Sequence, residues 1–290
     1  MRVVANINFK GGVGKTTITW LLAQIAAEQG HNVLVVDADA QMSLTIALSI
    51  DEVSGQYVAG FGQWYENQHR GRNKTVLDAL DSYDRYVRGR DKHFDFSIDQ
   101  NFIYTVRENL RFVPSVTDLY WMELELFSPE NVKGFIRALL GKIEHSNFRP
   151  DFVFFDCPPS FTALSYSILS NCSLILVPTN PDVFAATGLR IMVEGLRGRI
   201  QPWPNPNIVV FMNKAGYREG TGLFRETRIF MNSIQEAAHE LTNNNSNIVF
   251  LNNCYVPNRA SIRRSLSFGG FPNEFRASVE LLWDNVQLHI

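Results

Sequence analysis

The feature that most constrains the fold of this chain is a glycine-rich segment near its amino end. A short apolar run at residues 3–8 leads into K-G-G-V-G-K-T-T at residues 10–17, and a pattern of helical spacing follows directly. Glycines let backbone N–H groups turn inward around phosphate oxygens, and the start of a helix adds partial positive charge. A strand, a glycine loop ending in Gly-Lys-Thr and a helix, in this order, predict a phosphate-binding loop.

The residues of the loop have distinct expected roles in binding a nucleoside triphosphate. Lys15 is expected to reach the β- and γ-phosphates, and the Thr16 hydroxyl is expected to bind Mg²⁺. ATP and Mg²⁺ are therefore the predicted cofactors. The predicted nucleotide-binding residues of the loop are Gly11, Gly12, Val13, Gly14, Lys15, Thr16 and Thr17.

Apolar runs of strand length recur along the chain and alternate with segments of helical spacing. The runs are continuous rather than alternating, which is typical of strands buried on both faces of a parallel sheet. They are residues 3–8, 33–37, 110–114, 152–156, 174–177, 208–212 and 249–252. Helices are predicted over 16–28 and 74–87 and from Ser128 onward. The pattern predicts an α/β P-loop NTPase fold of three layers, a mostly parallel twisted sheet flanked by helices.

Acidic residues end two of the predicted strands. Asp37 and Asp39 close the first, and Asp156 closes the second just before Pro158 and Pro159. The carboxyl ends of strands in an open α/β sheet face the crevice where ligands bind, and Mg²⁺ takes oxygen ligands, often through water. An acid at the end of one buried strand is a weak signal, but together with the loop these acids indicate a Mg-nucleotide site.

The loop departs from the general phosphate-loop motif at its start. Phe9 stands where the motif has its first glycine, and a second lysine, Lys10, follows it. The resulting pattern resembles the deviant Walker A loop of the ParA/MinD family of ATPases. The resemblance implies that Lys10 crosses a dimer interface to the partner's nucleotide. The alternative is a charge near the phosphates of its own subunit.

The acids follow further motifs of that family in the same order. Residues 37–41 resemble its D-x-D-x-Q motif, and residues 156–159 resemble its D-x-P-P motif. The resemblance implies that Asp37 supports the bound Mg²⁺, that Asp39 positions the attacking water and that Asp156 is the Walker B acid. Phosphoryl transfer needs such an oriented nucleophile and charge stabilisation. The implied catalytic residues are Lys10, Lys15 and Asp39, and the implied metal-binding residues are Thr16, Asp37 and Asp156.

Three later segments complete the predicted nucleotide site. By resemblance Asp182 would face the nucleotide or the dimer partner, although relatives often carry Glu there. Asn213 is a candidate to read the adenine edge through its amide, or an ordinary turn residue. The segment V-P-N-R at 256–259 resembles one whose backbone lies against the base, which adds Pro257 and Arg259 to the predicted nucleotide-binding residues.

The overall charge gives no direct sign of nucleic-acid binding, because the net charge is −2. Any basic surface must therefore be local. Arg259, Arg263 and Arg264 lie within six residues of one another. In ParA-like dimers such residues bind DNA phosphates without reading sequence, and the alternative is an ordinary solvated face.

The resemblance implies one P-loop ATPase domain over residues 1–290, with a divergent insertion around 51–105. It implies a ParA-type ATPase that forms an ATP-sandwich homodimer, binds DNA non-specifically and hydrolyses ATP when a ParB-like adaptor stimulates it. Such a protein segregates or positions DNA or another cargo. Because the loop begins at residue 10, we expect no helix-turn-helix domain before it.

Two other classes of ATPase remain open. A MinD-like membrane-cycling ATPase would need a basic amphipathic anchor, and residues 279–290 contain no Lys or Arg. A metabolic ligase similar to dethiobiotin synthetase would need the loop but not Lys10.

Cysteine usage and hydropathy predict the compartment. The three scattered cysteines form no Cys-x-x-Cys pair, which disfavours zinc, iron–sulfur and thioredoxin-like sites. We expect no signal peptide, and no apolar stretch reaches roughly 18 residues. We therefore expect a cytoplasmic protein with no membrane partner, and the resemblance implies association with the nucleoid when ATP is bound.

Overall fold

The computed structural model describes residues 1–48, 66, 74–96, 104–121, 128–218, 220, 222–242, 247–258 and 275–290. The strands in these ranges are β1 Arg2–Asn6, β2 Val33–Asp37, β3 Tyr104–Arg107, β4 Leu110–Val113, β5 Phe152–Asp156, β6 Leu174–Thr179, β7 Asn207–Ala215, β8 Tyr217–Arg218, β9 Gly222–Leu223 and β10 Ile248–Pro257. The helices are α1 Lys15–Glu28, α2 Ser43–Leu48, α3 Val76–Val87, α4 Leu119–Trp121, α5 Pro129–Glu144, α6 Ala163–Leu169, α7 Ala185–Arg199, α8 Arg225–Thr242 and α9 Arg276–Gln287.

Eight of the strands form one sheet in the order β10-β7-β6-β1-β5-β2-β4-β3. All neighbours in it run parallel except β3 and β4, which are antiparallel at one edge. The pair β8–β9 makes a separate antiparallel ribbon. The predicted fold class, a mostly parallel sheet between helices, is confirmed.

The sheet separates two hydrophobic cores, because successive side chains of a strand point to opposite faces. In β1, Val3 and Ala5 belong to one core and Val4 belongs to the other. Helices α3, α5, α6, α7 and α8 cover the first face, and α1 and α9 cover the second. Strands buried on both faces explain the continuous apolar runs in the sequence.

Three of the described helices begin at side-chain caps that the chain supplies locally, among them α5 and α3. Ser128 Oγ accepts a hydrogen bond from Asn131 N at 3.3 Å, and Pro129 occupies the first turn of α5. Thr75 and Asp78 form a reciprocal capping box at the start of α3. Such caps satisfy backbone N–H groups that a helix start leaves unpaired.

The apolar face of α9 is buried. Trp283 packs against Phe152 and Phe154, with ring centroids 5.0 and 6.0 Å away, and its Nε1 donates to Gln29 Oε1 at 2.8 Å. Of the helices that the structure describes, none is both long enough and apolar enough to cross a membrane. All three cysteines are buried and free, as small buried hydrophobic residues would be.

Candidate nucleotide-binding site

The segment between β1 and α1 forms a loop whose glycines turn the backbone. Gly12 and Gly14 have φ angles of 72° and 90°, a region that favours glycine. Gly14 is the N-cap residue of α1, and no side chain among the described residues caps this helix. The first N–H groups of α1 therefore remain available to an anion, which the helix dipole also attracts.

A cavity of about 370 Å³ lies over this helix start and the carboxyl ends of the neighbouring strands. Its volume falls within the range of about 300–1,000 Å³ that is usual for ligand pockets. The predicted residues that line it are Gly11, Gly12, Gly14, Lys15, Thr16, Thr17, Asp39, Asn213 and Pro257. The cavity is also lined by Gln41, Ser43, Lys214 and Asn258, which were not predicted as site residues, and by Pro159 of the D-x-P-P motif.

Lys15 is the buried cation of the site. Its exposed fraction is 7%, and its Nζ donates to Asn8 O at 3.3 Å. Burial lowers the pKa of Lys15, while the nearby Asp156 and Asp39 act in the opposite direction. A partly desolvated ammonium interacts more strongly with phosphate oxygens than one in bulk water does.

Asp37 and Asp156 lie side by side beneath the cavity. They are partners in the register of the parallel strands β2 and β5. Asp37 accepts hydrogen bonds from Thr45 N at 2.8 Å, Thr45 Oγ1 at 2.7 Å and Asp39 N at 3.1 Å. Burial nevertheless raises the pKa of Asp37 to about 7, with a smaller contribution from the charge of Asp39.

Asp156 is the less satisfied of the two buried acids. Burial, and then repulsion from Asp37, raises its pKa well above the usual range, while a hydrogen bond from Thr16 lowers it. Its Oδ2 is buried and has no hydrogen-bond partner in the described structure. An unpaired buried carboxylate oxygen beside a second carboxylate is a favourable place for a cation.

Asp39 differs from these two acids because it faces the cavity. Its exposed fraction is 8%, and its Oδ1 accepts a hydrogen bond from Gln41 N at 3.0 Å. The carboxylate is thus fixed by its own turn while lining the space that a ligand would fill.

Lys10 and Asp182, predicted separately, contact each other at the rim of the loop. Lys10 Nζ lies 2.5 Å from Asp182 Oδ2 and 5.8 Å from the ring centroid of Phe184. The backbone N–H of Lys10 donates to Asn8 Oδ1 at 2.9 Å. Neither Lys10 nor Asp182 is among the described residues that line the cavity.

The remaining predicted site residues have different locations. Val13 is a buried residue of the loop itself. Asn213 lines the cavity, but its Nδ2 donates to Val13 O at 2.6 Å and its Oδ1 accepts from Lys214 N at 2.9 Å; its contact with adenine stays a prediction. Arg259, Arg263 and Arg264 lie outside the described residues.

This geometry defines a protein of the P-loop nucleotide-binding class. It combines a glycine loop at the start of a helix with a buried lysine and with two acids at the ends of neighbouring strands. The profile of an AAA domain family matches residues 1–209. An uncharacterised protein of Mycobacterium tuberculosis is 30% identical over 205 residues, covering 69% of this chain and 54% of that protein. The chromosome partitioning protein ParA of Caulobacter vibrioides is 28% identical over 205 residues, covering 70% of this chain and 66% of that one.

A solved structure of an McdA variant of Cyanothece in complex with ATP has the same fold. Its TM-score is 0.72 at 17% identity, and the alignment covers 100% of this chain and 96% of that chain. The matches span only about half to two thirds of the two sequence relatives, 54% and 66%. The chain belongs to the ParA/MinD family of ATPases, within the AAA domains.

Proposed function

We propose that this chain binds Mg-ATP and hydrolyses it to ADP and phosphate. The observation that carries the proposal is the cavity of about 370 Å³, in which the phosphate loop, Lys15 and Asp39 meet above two buried acids. A site for a triphosphate needs positive charge, oriented N–H groups and a group that orients water, and this cavity has all three kinds.

Each side chain has a separate task in the proposed reaction. Lys15 binds the β- and γ-phosphates and stabilises the charge that develops on their oxygens. Asp39 lies on the cavity wall and orients the attacking water. The N–H groups of the loop and of the start of α1 surround the phosphates.

The buried acids fit a Mg²⁺ ion. Thr16 and Asp156 would hold it with support from Asp37, since Asp156 Oδ2 is a buried carboxylate oxygen without a donor. The described residues contain no cluster of three or more His, Cys, Asp or Glu side chains suited to a metal. Mg²⁺ usually keeps several waters and binds substrate phosphates, so a site for it needs few protein ligands. When bound, the ion would neutralise charge on the phosphate oxygens.

We also propose that ATP closes two copies of the chain into a sandwich dimer, in which Lys10 reaches the partner's nucleotide. Two observations support a partner on this face. A Cβ built on Gly11 meets no atom within 4 Å, and Phe184 beside Lys10 is 70% exposed. The loop is therefore open on the side where a second loop would approach.

The biological role proposed for this dimer is segregation or positioning of DNA or another cargo. It rests on the family and on the likeness to a chromosome partitioning protein. Non-specific DNA would bind through phosphate contacts that include Arg259, Arg263 and Arg264, and a ParB-like adaptor would stimulate hydrolysis. ATP-bound protein would then associate with the nucleoid.

Binding of ATP to the wild type and to Lys15→Ala tests the nucleotide site. Calorimetry with Mg-ATP should show the variant's affinity reduced by about a hundredfold or more. Hydrogen bonds to charged groups contribute about 1.5–3 kcal/mol each, and each 1.4 kcal/mol is about a factor of ten. Lys142→Ala, on α5, is the control and should bind as the wild type does. Equal affinity of wild type and Lys15→Ala would show that the nucleotide binds elsewhere.

A further inference from the structure

The carboxyl end of β7 carries two adjacent side chains that both bind the phosphate loop. Asn213 Nδ2 donates to Val13 O at 2.6 Å, and Lys214 Nζ donates to Gly12 O at 2.5 Å. Both residues also line the cavity of about 370 Å³. The loop is thus attached at two consecutive carbonyl groups to a strand about 200 residues away in sequence.

The backbone at Lys214 explains how two neighbours can serve the same loop. Successive side chains of a regular strand point to opposite faces. Lys214 instead has a φ angle of 53°, in the left-handed region, and its N–H donates to Asn213 Oδ1. A lysine rarely adopts this strained conformation, which persists only where the surroundings impose it. Such backbone strain clusters at functional sites.

The position of Asn213 fixes a third point of the loop. A Cβ placed on Gly14 would lie only 2.3 Å from Asn213 Nδ2. The amide therefore packs directly on the backbone of Gly14, the N-cap residue of α1. A side chain at position 14 would have to displace this amide, and the φ angle of 90° at Gly14 also favours glycine.

These contacts bear directly on phosphate binding. A phosphate loop works because its N–H groups point at the anion, so its carbonyl groups must point elsewhere and find donors of their own. Here the carbonyls of Gly12 and Val13 find them on Lys214 and Asn213. If either donor is lost, the loop gains alternative conformations and must be ordered when the ligand binds, which lowers affinity.

We propose that Asn213 and Lys214 form a clasp that holds the phosphate loop in its binding conformation, and that Lys214 is a positioning residue for the triphosphate. The proposal rests on the proposed ATP site. In this proposal Lys214 acts by holding the loop through its hydrogen bond to Gly12 O, and it does not contact the nucleoside directly. The clasp selects for ligands that use the whole loop, which are nucleoside triphosphates rather than monophosphates.

The sharpest test is Lys214→Gly, because glycine adopts a φ angle of 53° without strain and removes only the side chain. We expect ATP affinity to fall about five- to tenfold, in keeping with the loss of one hydrogen bond from a charged donor. We expect KM to rise with kcat little changed, and the melting temperature without nucleotide not to fall. Lys214→Arg should restore most of the affinity, and Lys142→Ala should not change it.

Binding of AMP, measured by displacement of a fluorescent nucleotide, separates the proposed role from direct contact of Lys214 with the nucleoside. AMP affinity should stay within about twofold of the wild type in Lys214→Gly, because AMP lacks the phosphates that the clasped part of the loop binds. An equal loss for AMP and ATP would overturn the proposal in favour of direct contact with the nucleoside. Unchanged ATP affinity would overturn it outright. A wild type that binds no ATP would instead refute the proposed function itself.

Discussion

Lys10 is the single residue whose position bears most on how two copies of the chain would meet. In the single chain its ammonium pairs with Asp182 and lies near the exposed ring of Phe184. A lysine that has to reach a partner's nucleotide would first have to leave this pair. The ion pair therefore competes with the proposed contact across the dimer interface.

Asp182→Asn tests that competition. The asparagine removes the charge that holds Lys10 but retains a side-chain oxygen that can accept the hydrogen bond from Phe184 N. Exposed ion pairs contribute about 0.2–1 kcal/mol each, and a symmetric dimer releases two of them, so the ATP-dependent dimer should become tighter by up to about thirtyfold. Sedimentation equilibrium with a non-hydrolysable ATP analogue measures this, with Lys10→Ala as the variant that should weaken the dimer. A weaker dimer in Asp182→Asn would instead assign the carboxylate a direct role at the interface or on the nucleotide.

Among the elements, the strands that end in acids were the most predictable. The apolar runs at 33–37 and 152–156 coincide with β2 and β5 residue for residue. Each is buried on both faces, and each ends where a carboxylate meets the crevice. A buried strand leaves a continuous apolar run, and an abrupt change to polar residues marks its end.

Edge elements and irregular strand ends were not predictable in the same way. Strand β3, Tyr104–Arg107, was missed because it pairs on one side only and its residues are partly exposed. Strand β7 continues past its apolar run through Asn213 and Lys214 to Ala215. No sequence pattern links a lysine at the end of this strand to a loop far away in sequence. Lys214 was therefore not recognised as part of the site.

The phosphate loop itself offers an element-scale prediction, because its glycines differ in what surrounds them. Gly11→Val should leave folding and ATP binding of the single chain intact, since a Cβ there meets no atom within 4 Å. The same side chain should hold two facing loops apart and abolish the ATP-dependent dimer. Gly14→Ala is the matched contrast. It should lose ATP binding in the single chain, because φ is 90° and the Cβ would lie 2.3 Å from Asn213 Nδ2.

Light scattering with ATP distinguishes these outcomes, with calorimetry on the same samples. Wild-type protein should dimerise, Gly11→Val should bind ATP as a monomer, and Gly14→Ala should do neither. A Gly11→Val protein that dimerises like the wild type would contradict the sandwich arrangement.

At the scale of the whole molecule, the site lies where the carboxyl ends of β1, β2, β5 and β7 meet, as expected for an open α/β sheet. The family motifs predicted this placement, because each of them directly follows a strand. The extent of the domain and the interpretation of the region around 51–105 as an insertion stay predictions. The DNA contact also stays a prediction, because no periodicity or charge pattern in the sequence distinguishes a DNA-binding cluster of arginines from a solvated one.

The proposed DNA contact has a thermodynamic signature that a solvated face lacks. Each phosphate contact contributes about −0.9 to the slope of log affinity against log salt, and six contacts across a dimer would cost about a thousandfold in affinity between about 50 and 200 mM salt. Changing Arg259, Arg263 and Arg264 together to Glu should abolish ATP-dependent binding to DNA of any sequence, since phosphates carry no sequence information. ATP binding by the variant is the control, and each arginine changed singly shows whether Arg259 serves the nucleotide instead. Unchanged affinity and salt slope in the triple variant would place any DNA contact elsewhere.

The central claim is that this chain binds Mg-ATP and hydrolyses it. The most direct test measures phosphate release from Mg-ATP by the wild type and by Asp39→Ala, with ATP affinity measured on the same preparations. Asp39 lines the cavity and is proposed to orient the water rather than to hold the triphosphate. We therefore predict that Asp39→Ala binds ATP within about threefold of the wild type but loses about a hundredfold or more in turnover, within the usual contribution of a positioned acid–base or orienting group. Wild-type protein that binds ATP without releasing phosphate under any condition, or an Asp39→Ala variant that turns over near the wild-type rate, would contradict the account.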